Sequence, residues 1–588
     1  MTSDHCSFFF AVFVASGLFL WLLGAASFDR RLGAGSLYRA PWLGYALLVG
    51  LLQFGHLVFP IHKGFSIAIV AGIALIASCS LLFGGALRAW TTKRAAVAFG
   101  SVALLLGISF IAFVPVLNGC TKSMCHTDLG LYYLKLVRWI QTFPIVPGLV
   151  NVQEQLAFNQ NAFLITSLFD SLVPNRWGLF LIAGFLPWLG LSLSTFAIVR
   201  VLFMHFWKRG SAPAMEIAYA ISLPAWLSTL ATSSLSSASP DCIITCLSIH
   251  FFLVFTCYVV SNDEKEWMRS LGEILLLGAT CVSVKSSSLG LVLGVWLISA
   301  GLLFIKGRGN PLRVFHHERV AAMSLLAAVL LGTWMIRGIL LSGYPLFPST
   351  ALAMPVPWRM PTKEIIEFQQ EIVRSARDQD AGLETKKVLK TWQWFAGWCE
   401  RVSAMRTHFA WPAQIGAAGA ASLLAASLCV PVLRRNARNL LLLVFPLAAY
   451  TVFWFISAPD PRYFGSTMWI FAICPALTFA TGDLRIGRST VLACLGGAAI
   501  PIFFLAWEYR WAWTYAEERL PRYLTVETRP VTNPHGVAVW MNPDGFLTFD
   551  APLPSSWKDR PFLALLNPQK GIAGGFKFLK PNSLSREP

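Results

Sequence analysis

Residues 8–28, FFFAVFVASGLFLWLLGAASF, form an unbroken apolar block, and the basic pair Arg30 and Arg31 follows almost at once. An α-helix needs about 20 apolar residues to cross a hydrocarbon core. Met1 to Ser7 contain no Lys or Arg, and no small-residue cleavage site precedes the basic pair. We therefore interpret the block as a membrane helix rather than a cleaved signal. Its N-terminus is predicted to face outward because the positive charges follow it.

The rest of the chain continues this pattern. Of its 588 residues, 56% are hydrophobic and 13% are charged, whereas a soluble globular protein carries about 25% charged residues. The composition therefore excludes an ordinary soluble enzyme. A net charge of +18 alone would fit nucleic-acid binding, but the basic residues lie between the apolar blocks, as in the cytoplasmic loops of membrane proteins. We expect a lipid bilayer as a partner and no nucleic acid.

A hydropathy window of about 19 residues predicts an all-α polytopic membrane protein with about fourteen transmembrane helices. These lie near residues 8–28, 42–60, 65–86, 95–117, 178–199, 214–232, 242–260, 269–284, 287–305, 319–340, 413–433, 439–457, 464–481 and 489–507. The loops on one side carry 20 Lys and Arg residues, and the short loops on the other side carry only Lys63, Lys285 and Arg462. Positive charges accumulate on the cytoplasmic side, so the second side is predicted to face outward together with both termini.

This orientation divides the chain into alternating membrane and outer segments. The predicted segments are N-terminal transmembrane helices (1–117), a first large outer loop (118–177), central transmembrane helices (178–340), a second large outer loop (341–412), C-terminal transmembrane helices (413–507) and an extracytoplasmic tail (508–588). Helical spacing of Leu131, Leu134 and Val137 predicts an amphipathic helix on the membrane in the first outer loop. The second outer loop has a predicted helix near 362–378, and short alternating runs in the tail predict a small β subdomain.

Polar and ionisable residues at the outer ends of membrane helices are costly and often functional. The candidates are Asp128, Asn159, Gln160, Asn161, Asp241, Lys285, Arg337, Asp460 and Arg462. A carboxylate accepts the proton of an attacking hydroxyl, and Lys and Arg stabilise a departing phosphate. Carboxylates and cations at one membrane face therefore suit group transfer from an anionic lipid-linked substrate.

Each candidate also has a structural interpretation. Asp128 and Asp241 are placed where helix caps occur. The side chains of three cations are long enough to reach the headgroup region and anchor the helices there: Lys285, Arg337 and Arg462. Asn159 and Asn161 are suited to joining helices by hydrogen bonds. The outer-loop cysteines Cys120 and Cys125 are close enough in sequence for a disulfide.

The chain contains no G-x-S-x-G elbow, no P-loop lysine motif and no H-E-x-x-H pair. Serine acyl transfer, ATP hydrolysis and zinc proteolysis therefore have no support from its motifs.

An Asp in the first large outer loop followed by an amphipathic helix resembles the GT-C class of integral-membrane glycosyltransferases, and Asp128 with Tyr132 and Tyr133 fits that pattern. The stretches beginning at His126, Ser239, Lys285, Ile336, Ala458 and Phe549 also resemble a group of uncharacterised bacterial multi-pass membrane proteins placed near that class. One departure is visible: many class members carry paired acidic residues after the first transmembrane helix, whereas here three further helices precede the single Asp128.

The resemblance implies a GT-C-like fold and inverting transfer of a sugar from a polyprenyl-phosphate carrier to a glycan or lipid acceptor, in the inner membrane of a bacterium. It makes Asp128 the general base. It assigns the carrier phosphate to Lys285, Arg337 and Arg462. The remaining substrate-binding residues would be Tyr132, Asn159, Asn161, Asp241 and Asp460. No cofactor is implied with certainty, and a divalent metal is left open.

Two other functions are alternatives to sugar transfer. A glycolipid transporter or flippase should place charges near the bilayer midplane and show related halves, and the sequence has neither feature. A glycan polymerase or ligase, or a noncatalytic assembly subunit, is the second alternative. Loss of product on substitution of Asp128 would separate a catalytic protein from a noncatalytic one.

Overall fold

The computed structural model describes residues 3–28, 36–83, 92–121, 127–204, 212–231, 233–306, 314–379, 382–465, 467–480 and 525–579. Within these ranges the protein is mostly helical, and nine helices are long and apolar enough to cross a membrane. The protein is therefore a helical membrane protein with a small β part. The predicted span 489–507 lies outside the described residues.

The described helices and strands are numbered in chain order. The helices are α1 (Ser3–Phe28), α2 (Ser36–Gly55), α3 (Lys63–Phe83), α4 (Thr92–Cys120), α5 (Leu134–Thr142), α6 (Ala162–Leu172), α7 (Gly178–Phe203), α8 (Ala214–Ile221), α9 (Leu223–Ser228), α10 (Pro240–Val260), α11 (Glu264–Val284), α12 (Leu289–Lys306), α13 (Glu318–Ser342), α14 (Thr362–Arg377), α15 (Thr385–Lys390), α16 (Phe395–Ala404), α17 (Trp411–Cys429), α18 (Arg434–Ser457), α19 (Pro461–Phe464) and α20 (Thr467–Leu477). The strands are β1 (Arg529–Thr532), β2 (Ala538–Met541), β3 (Leu563–Leu565) and β4 (Phe576–Phe578).

Three predicted spans differ from the observed helices. The span predicted at 42–60 is α2, which begins at Ser36 and ends in a turn after Gly55. The span at 214–232 is interrupted between α8 and α9, where Pro224 has no N–H to continue the helix. The span at 464–481 is reduced to α20, with only 11 residues. These three are not among the nine, and neither is α3, which corresponds to the span predicted at 65–86.

A buried network of charges lies at the helix ends that join the predicted cytoplasmic loops. Arg39, at the start of α2, forms ion pairs with Glu266 and Glu273 on α11. Glu273 is fully buried and also pairs with Arg269 at 3.1 Å and Arg319 at 3.8 Å. Several arginines that give these loops their positive charge therefore also connect α2, α11 and α13 inside the protein.

The first outer loop is covered rather than exposed on the membrane. Helix α5 is buried at Leu134, Leu136 and Val137, but also at Lys135, which donates to Gln153. The predicted amphipathic helix is thus present, but it is enclosed within the protein instead of lying on the membrane surface. The polar face of α5 is covered instead by neighbouring loop residues and by the tail.

The tail contains two small antiparallel sheets, β1 with β2 and β3 with β4. It docks on the first outer loop through Arg560, which donates two hydrogen bonds, of 3.0 and 2.6 Å, to the carboxylate of Glu154. Burial by itself raises the pKa of Glu154, but the Arg560 guanidinium outweighs it and the pKa is lowered. Asp550 forms a second bridge, to Arg176 at 3.0 Å. The tail is thus fixed by ion pairs to the loop that begins near Asp128.

Candidate functional site

Five sequence candidates from distant parts of the chain meet at one cavity of about 440 Å³. They are Asp128, Tyr132, Gln160, Asp241 and Lys285. The cavity lies between the first outer loop, the junction of α11 and α12, helix α14 of the second outer loop, and the end of α18. These elements follow or precede membrane helices at the same end of the bundle, so the cavity lies at the predicted outer face.

Asp241 and Lys285 form a buried ion pair on the cavity wall. Ser239 caps α10 by accepting from the Asp241 N–H at 3.2 Å, and its hydroxyl donates to the Asp241 carboxylate at 3.1 Å. The capping residue is therefore Ser239, not Asp241. The ammonium of Lys285 also lies 4.7 Å from the centre of the Tyr463 ring. Lys285 thus interacts with a carboxylate and an aromatic ring beside the cavity.

Arg462 connects two carboxylates. Its Nε and Nη2 donate to Asp460 at 3.1 and 3.0 Å, and its Nη1 donates to Asp128 at 3.2 Å. Asp460 also accepts from the Arg462 N–H at 2.9 Å and so caps α19. Burial by itself lowers the pKa of the Arg462 guanidinium, but Asp460 and the other nearby groups outweigh it and the pKa is raised. Arg462 therefore stays positively charged beside Asp128.

Asp128 is positioned by a short π-helical segment, Leu129–Tyr133, and its side chain makes no cap hydrogen bond to that segment. The carboxylate instead accepts from the Tyr133 hydroxyl at 3.4 Å. Burial raises the pKa of Tyr132 and of Tyr133, so both hydroxyls remain protonated. The capping interpretation of Asp128 is therefore not what its geometry shows, since its contacts are with Tyr133 and Arg462.

The tail supports this segment. The Gly130 carbonyl accepts from the N–H groups of Thr548 and Phe549, at 3.1 and 2.9 Å. A Cβ added at Gly130 would lie 2.7 Å from the Phe549 ring. A π-helical turn inserts an extra residue and displaces a carbonyl from the regular helix pattern. The tail supplies donors to that carbonyl two residues after Asp128.

Arg337, Asn159 and Asn161 do not line this cavity, which corrects the prediction that Arg337 joins Lys285 and Arg462. Arg337 donates to Asn159 Oδ1 at 3.3 Å, and Asn159 Nδ2 donates to the Trp334 carbonyl at 2.6 Å. Asn161 donates to Gln53 at 2.6 Å. The two asparagines therefore join the loop to α13 and α2, as in their structural interpretation. Arg337 projects from α13 toward that junction rather than toward Lys285.

Several cavity residues were not among the sequence candidates. They are Ser286, Ser287, Gln369, Tyr450 and Tyr463. Tyr463 follows Arg462 directly and Ser286 follows Lys285. Their position next to a charged candidate in the sequence could therefore have identified these two residues. Gln369 and Tyr450 lie within α14 and α18 and have no such signal.

Within the described ranges, no group of three His, Cys, Asp or Glu side chains is arranged to hold a metal ion. Cys120 is a buried free thiol, and its predicted partner Cys125 lies outside the described residues. Two carboxylates and one cation line the cavity: Asp128, Asp241 and Lys285. Asp241 pairs with Lys285, and Asp128 pairs with Arg462, which lies outside the lining together with its second partner, Asp460.

The chain was compared with protein families, with curated proteins and with solved structures. Neither the curated proteins nor the solved structures gave a match. One family, described as a domain of unknown function (DUF8201), matches residues 7–469. The match includes most of α1, all of α2 to α19 and every sequence candidate at the cavity. Because it extends over more than half of the chain, the protein belongs to the DUF8201 family.

Proposed function

We propose that this protein is a membrane glycosyltransferase that moves a sugar from a polyprenyl-phosphate carrier to a glycan or lipid acceptor at the outer face of a bacterial inner membrane. The observation that carries the proposal is the meeting of Asp128, Asp241 and Lys285 at one cavity, with Arg462 hydrogen-bonded to Asp128 beside it. These residues are far apart in the chain and share the chemistry that sugar transfer from a phosphate requires.

In the proposed reaction, an acceptor hydroxyl attacks the anomeric carbon of the donor sugar and the bond from that carbon to the phosphate oxygen breaks. Asp128 takes the hydroxyl proton. The bonding electrons leave with the carrier phosphate, whose charge Lys285 and Arg462 stabilise. The hydroxyl attacks the anomeric carbon from the side opposite the departing phosphate, so the configuration at that carbon is inverted.

The pairing of Arg462 suggests how donor binding prepares the base. Its Nη1 contacts Asp128, while Nε and Nη2 are held by Asp460. A carrier phosphate competes with Asp128 for Nη1, because a phosphate oxygen accepts the same charge-assisted hydrogen bond. Binding of the donor therefore releases the Asp128 carboxylate from its cation, so that it becomes a better proton acceptor.

The neutral side of the cavity fits an amphipathic donor. Part of its lining is apolar and comes from the first outer loop, α14 and α18: Phe158, Ile372, Val373, Phe453 and Trp454. The lining also includes hydroxyl and amide groups from Ser286, Ser287 and Gln160. Sites for small molecules combine such apolar surface with a few orienting polar groups. An isoprenoid chain matches the apolar residues, and sugar hydroxyls match the hydroxyl and amide groups.

Native mass spectrometry of the full-length protein in mild detergent tests the proposal, with polyprenyl phosphate as the probe. The wild type should retain the carrier. In Lys285→Ala and Arg462→Ala, the fraction of protein with bound carrier should be at least about ten-fold lower. Lys363→Ala is the matched control, because it removes an exposed cation from α14.

A turnover assay follows with Asp128→Asn. Loss of a general base is expected to lower the transfer rate about 10²- to 10⁴-fold with carrier binding retained. If no carrier binds even in excess, the donor assignment is wrong and the transporter and assembly-subunit alternatives move ahead. Unchanged product with Asp128→Asn would favour the noncatalytic alternative.

A further inference from the structure

Arg337 lies in a setting unlike that of the other cations described above. It is 4% exposed, within the membrane-spanning helix α13. Its hydrogen bonds go from Nε to Asn159 Oδ1 at 3.3 Å, and from Nη1 to the Gln53 carbonyl at 3.4 Å and to His56 Nδ1 at 3.0 Å. All three acceptors are neutral. Over the described part of the chain, Arg337 forms no ion pair.

The state of His56 makes this imbalance larger. Because Nδ1 accepts from Arg337, the ring proton is assigned to Nε2, which faces the Phe143 carbonyl at 3.2 Å. His56 is thus neutral and brings no charge of its own. Neutral acceptors satisfy some of the hydrogen bonds of a buried cation, but they do not compensate its charge. An uncompensated charge is costly in a low-dielectric interior.

A small cavity of about 20 Å³ adjoins this arginine. Two other polar side chains line it: Trp139, which is 2% exposed and whose indole N–H has no acceptor, and Gln160, whose Oε1 has no partner. The remaining walls are apolar, including Leu136, Leu149 and Leu341. The volume holds one particle about the size of a water molecule. A phosphate group or a carboxylate is too large for it.

We infer that this cavity is a binding site for a single small inorganic anion of the halide class, with Arg337 as the charged ligand. The anion would accept from the Nη2 side of the guanidinium, which makes none of the three hydrogen bonds above, and from the Trp139 indole N–H. A flip of the Gln160 amide adds a third N–H donor. A water molecule would satisfy the same donors but leave the charge of Arg337 uncompensated. The inference does not rest on the proposed sugar transfer, although Gln160 lines both cavities.

The test is the melting temperature of the full-length protein in detergent, with sodium gluconate replaced by sodium chloride or bromide at constant ionic strength. Gluconate is too large for the cavity. A ligand that binds only the folded state raises stability with its concentration. We expect a saturable rise of about 2–4 °C for the wild type in either halide. Arg337→Met should show no such rise, and Arg359→Met, which removes an exposed arginine from the following outer loop, should keep it.

Two outcomes of this titration would overturn the inference. One is equal melting of the wild type in halide and gluconate, which means that water fills the cavity. The other is an equal halide response in wild type and Arg337→Met, which places the effect elsewhere. If Arg337→Met fails to fold, wild-type crystals soaked in bromide decide the question. An anomalous peak between Arg337 and Trp139 supports the site, and its absence rejects it.

Discussion

The ion pair of Lys285 with Asp241 is buried on both sides, with side chains 10% and 8% exposed. Removing one member of such a pair leaves the other as an unpaired buried charge, which costs about 3–5 kcal/mol. We expect Lys285→Met to lower the free energy of unfolding by this amount. The double variant Lys285→Met with Asp241→Leu should recover most of the loss, because no charge is then left behind. Denaturant unfolding of all the variants in detergent measures the coupling.

The control for this cycle is Lys363→Met with Glu367→Leu, an exposed pair one helical turn apart on α14. Exposed pairs of this kind contribute about 0.3–0.5 kcal/mol. If the losses in the free energy of unfolding caused by the two single substitutions simply added in the double variant, Lys285 and Asp241 would not be coupled, contrary to the structure.

Lys135 gives a pH dependence of the opposite sign from a usual ion pair. Burial lowers its pKa from 10.5 to about 7, so between these values the unfolded chain binds a proton that the folded protein does not. Stability then rises with pH in this window. We expect the melting temperature to increase from pH 7 toward pH 10, and Lys135→Met to remove that part of the increase. A slope unchanged by Lys135→Met would assign it to other groups.

At the scale of elements, the segment that holds Asp128 depends on the tail. Phe549 donates its N–H to the Gly130 carbonyl and places its ring where a Gly130 side chain would be. We expect Phe549→Ala, which removes the ring packed on Gly130, or Gly130→Ala, whose methyl group would clash with that ring, to raise the rate of hydrogen exchange of residues 127–133 about ten-fold or more, because the packing that holds the backbone contact is lost. Hydrogen-exchange mass spectrometry of the full chain measures this.

Gly107→Ala is the control, since nothing lies within 4 Å of a Cβ added there and alanine favours a helix. It should leave the exchange of residues 127–133 unchanged. Equal exchange in wild type and Phe549→Ala would mean that the tail does not hold this segment.

Long apolar elements were predictable from the sequence, and their interruptions were not. Helices such as α7 and α10 follow from about 20 apolar residues in a row. The break between α8 and α9 depends on Pro224 together with the Ser222 hydroxyl, which accepts from the Trp226 indole at 2.9 Å. Hydropathy averages over a window and is insensitive to such a local bond. The helix predicted at 362–378 is observed as α14, because its polar and apolar residues alternate with helical period.

The candidate site was predictable as a list of residues and not as a geometry. Lys285 and Arg337 have the same signal in sequence, a cation near the outer end of an apolar block. What separates them is the surface of the helix from which each projects, which depends on how α11 and α13 pack. A single sequence fixes neither the packing nor the partner, so Lys285 with Asp241 and Arg337 with His56 become distinguishable only in three dimensions.

At the scale of the whole molecule, the cavity and the Arg39 network lie at opposite ends of the helices. The network joins loops rich in Lys and Arg, which predicts that this end faces the cytoplasm.

In spheroplasts, we expect Asp544→Cys in the tail to react with a membrane-impermeant maleimide. Lys265→Cys, at the start of α11, should react only after permeabilisation. Both substitutions are made with Cys429, which is exposed, replaced by Ser. The reverse labelling pattern would place the cavity on the cytoplasmic side.

Arg138 of the first outer loop donates to the carbonyls of Asp550 and Ala551, which lie 412 and 413 residues further along the chain. At synthesis rates of about 5–20 residues per second, roughly 20 to 80 s separate the emergence of these partners. During that time the first outer loop is without the tail that contacts it. A chain cut after α20 lacks the two N–H donors to the Gly130 carbonyl, two residues after Asp128. The segment that holds Asp128 therefore reaches its final contacts only after the last part of the chain has been synthesised.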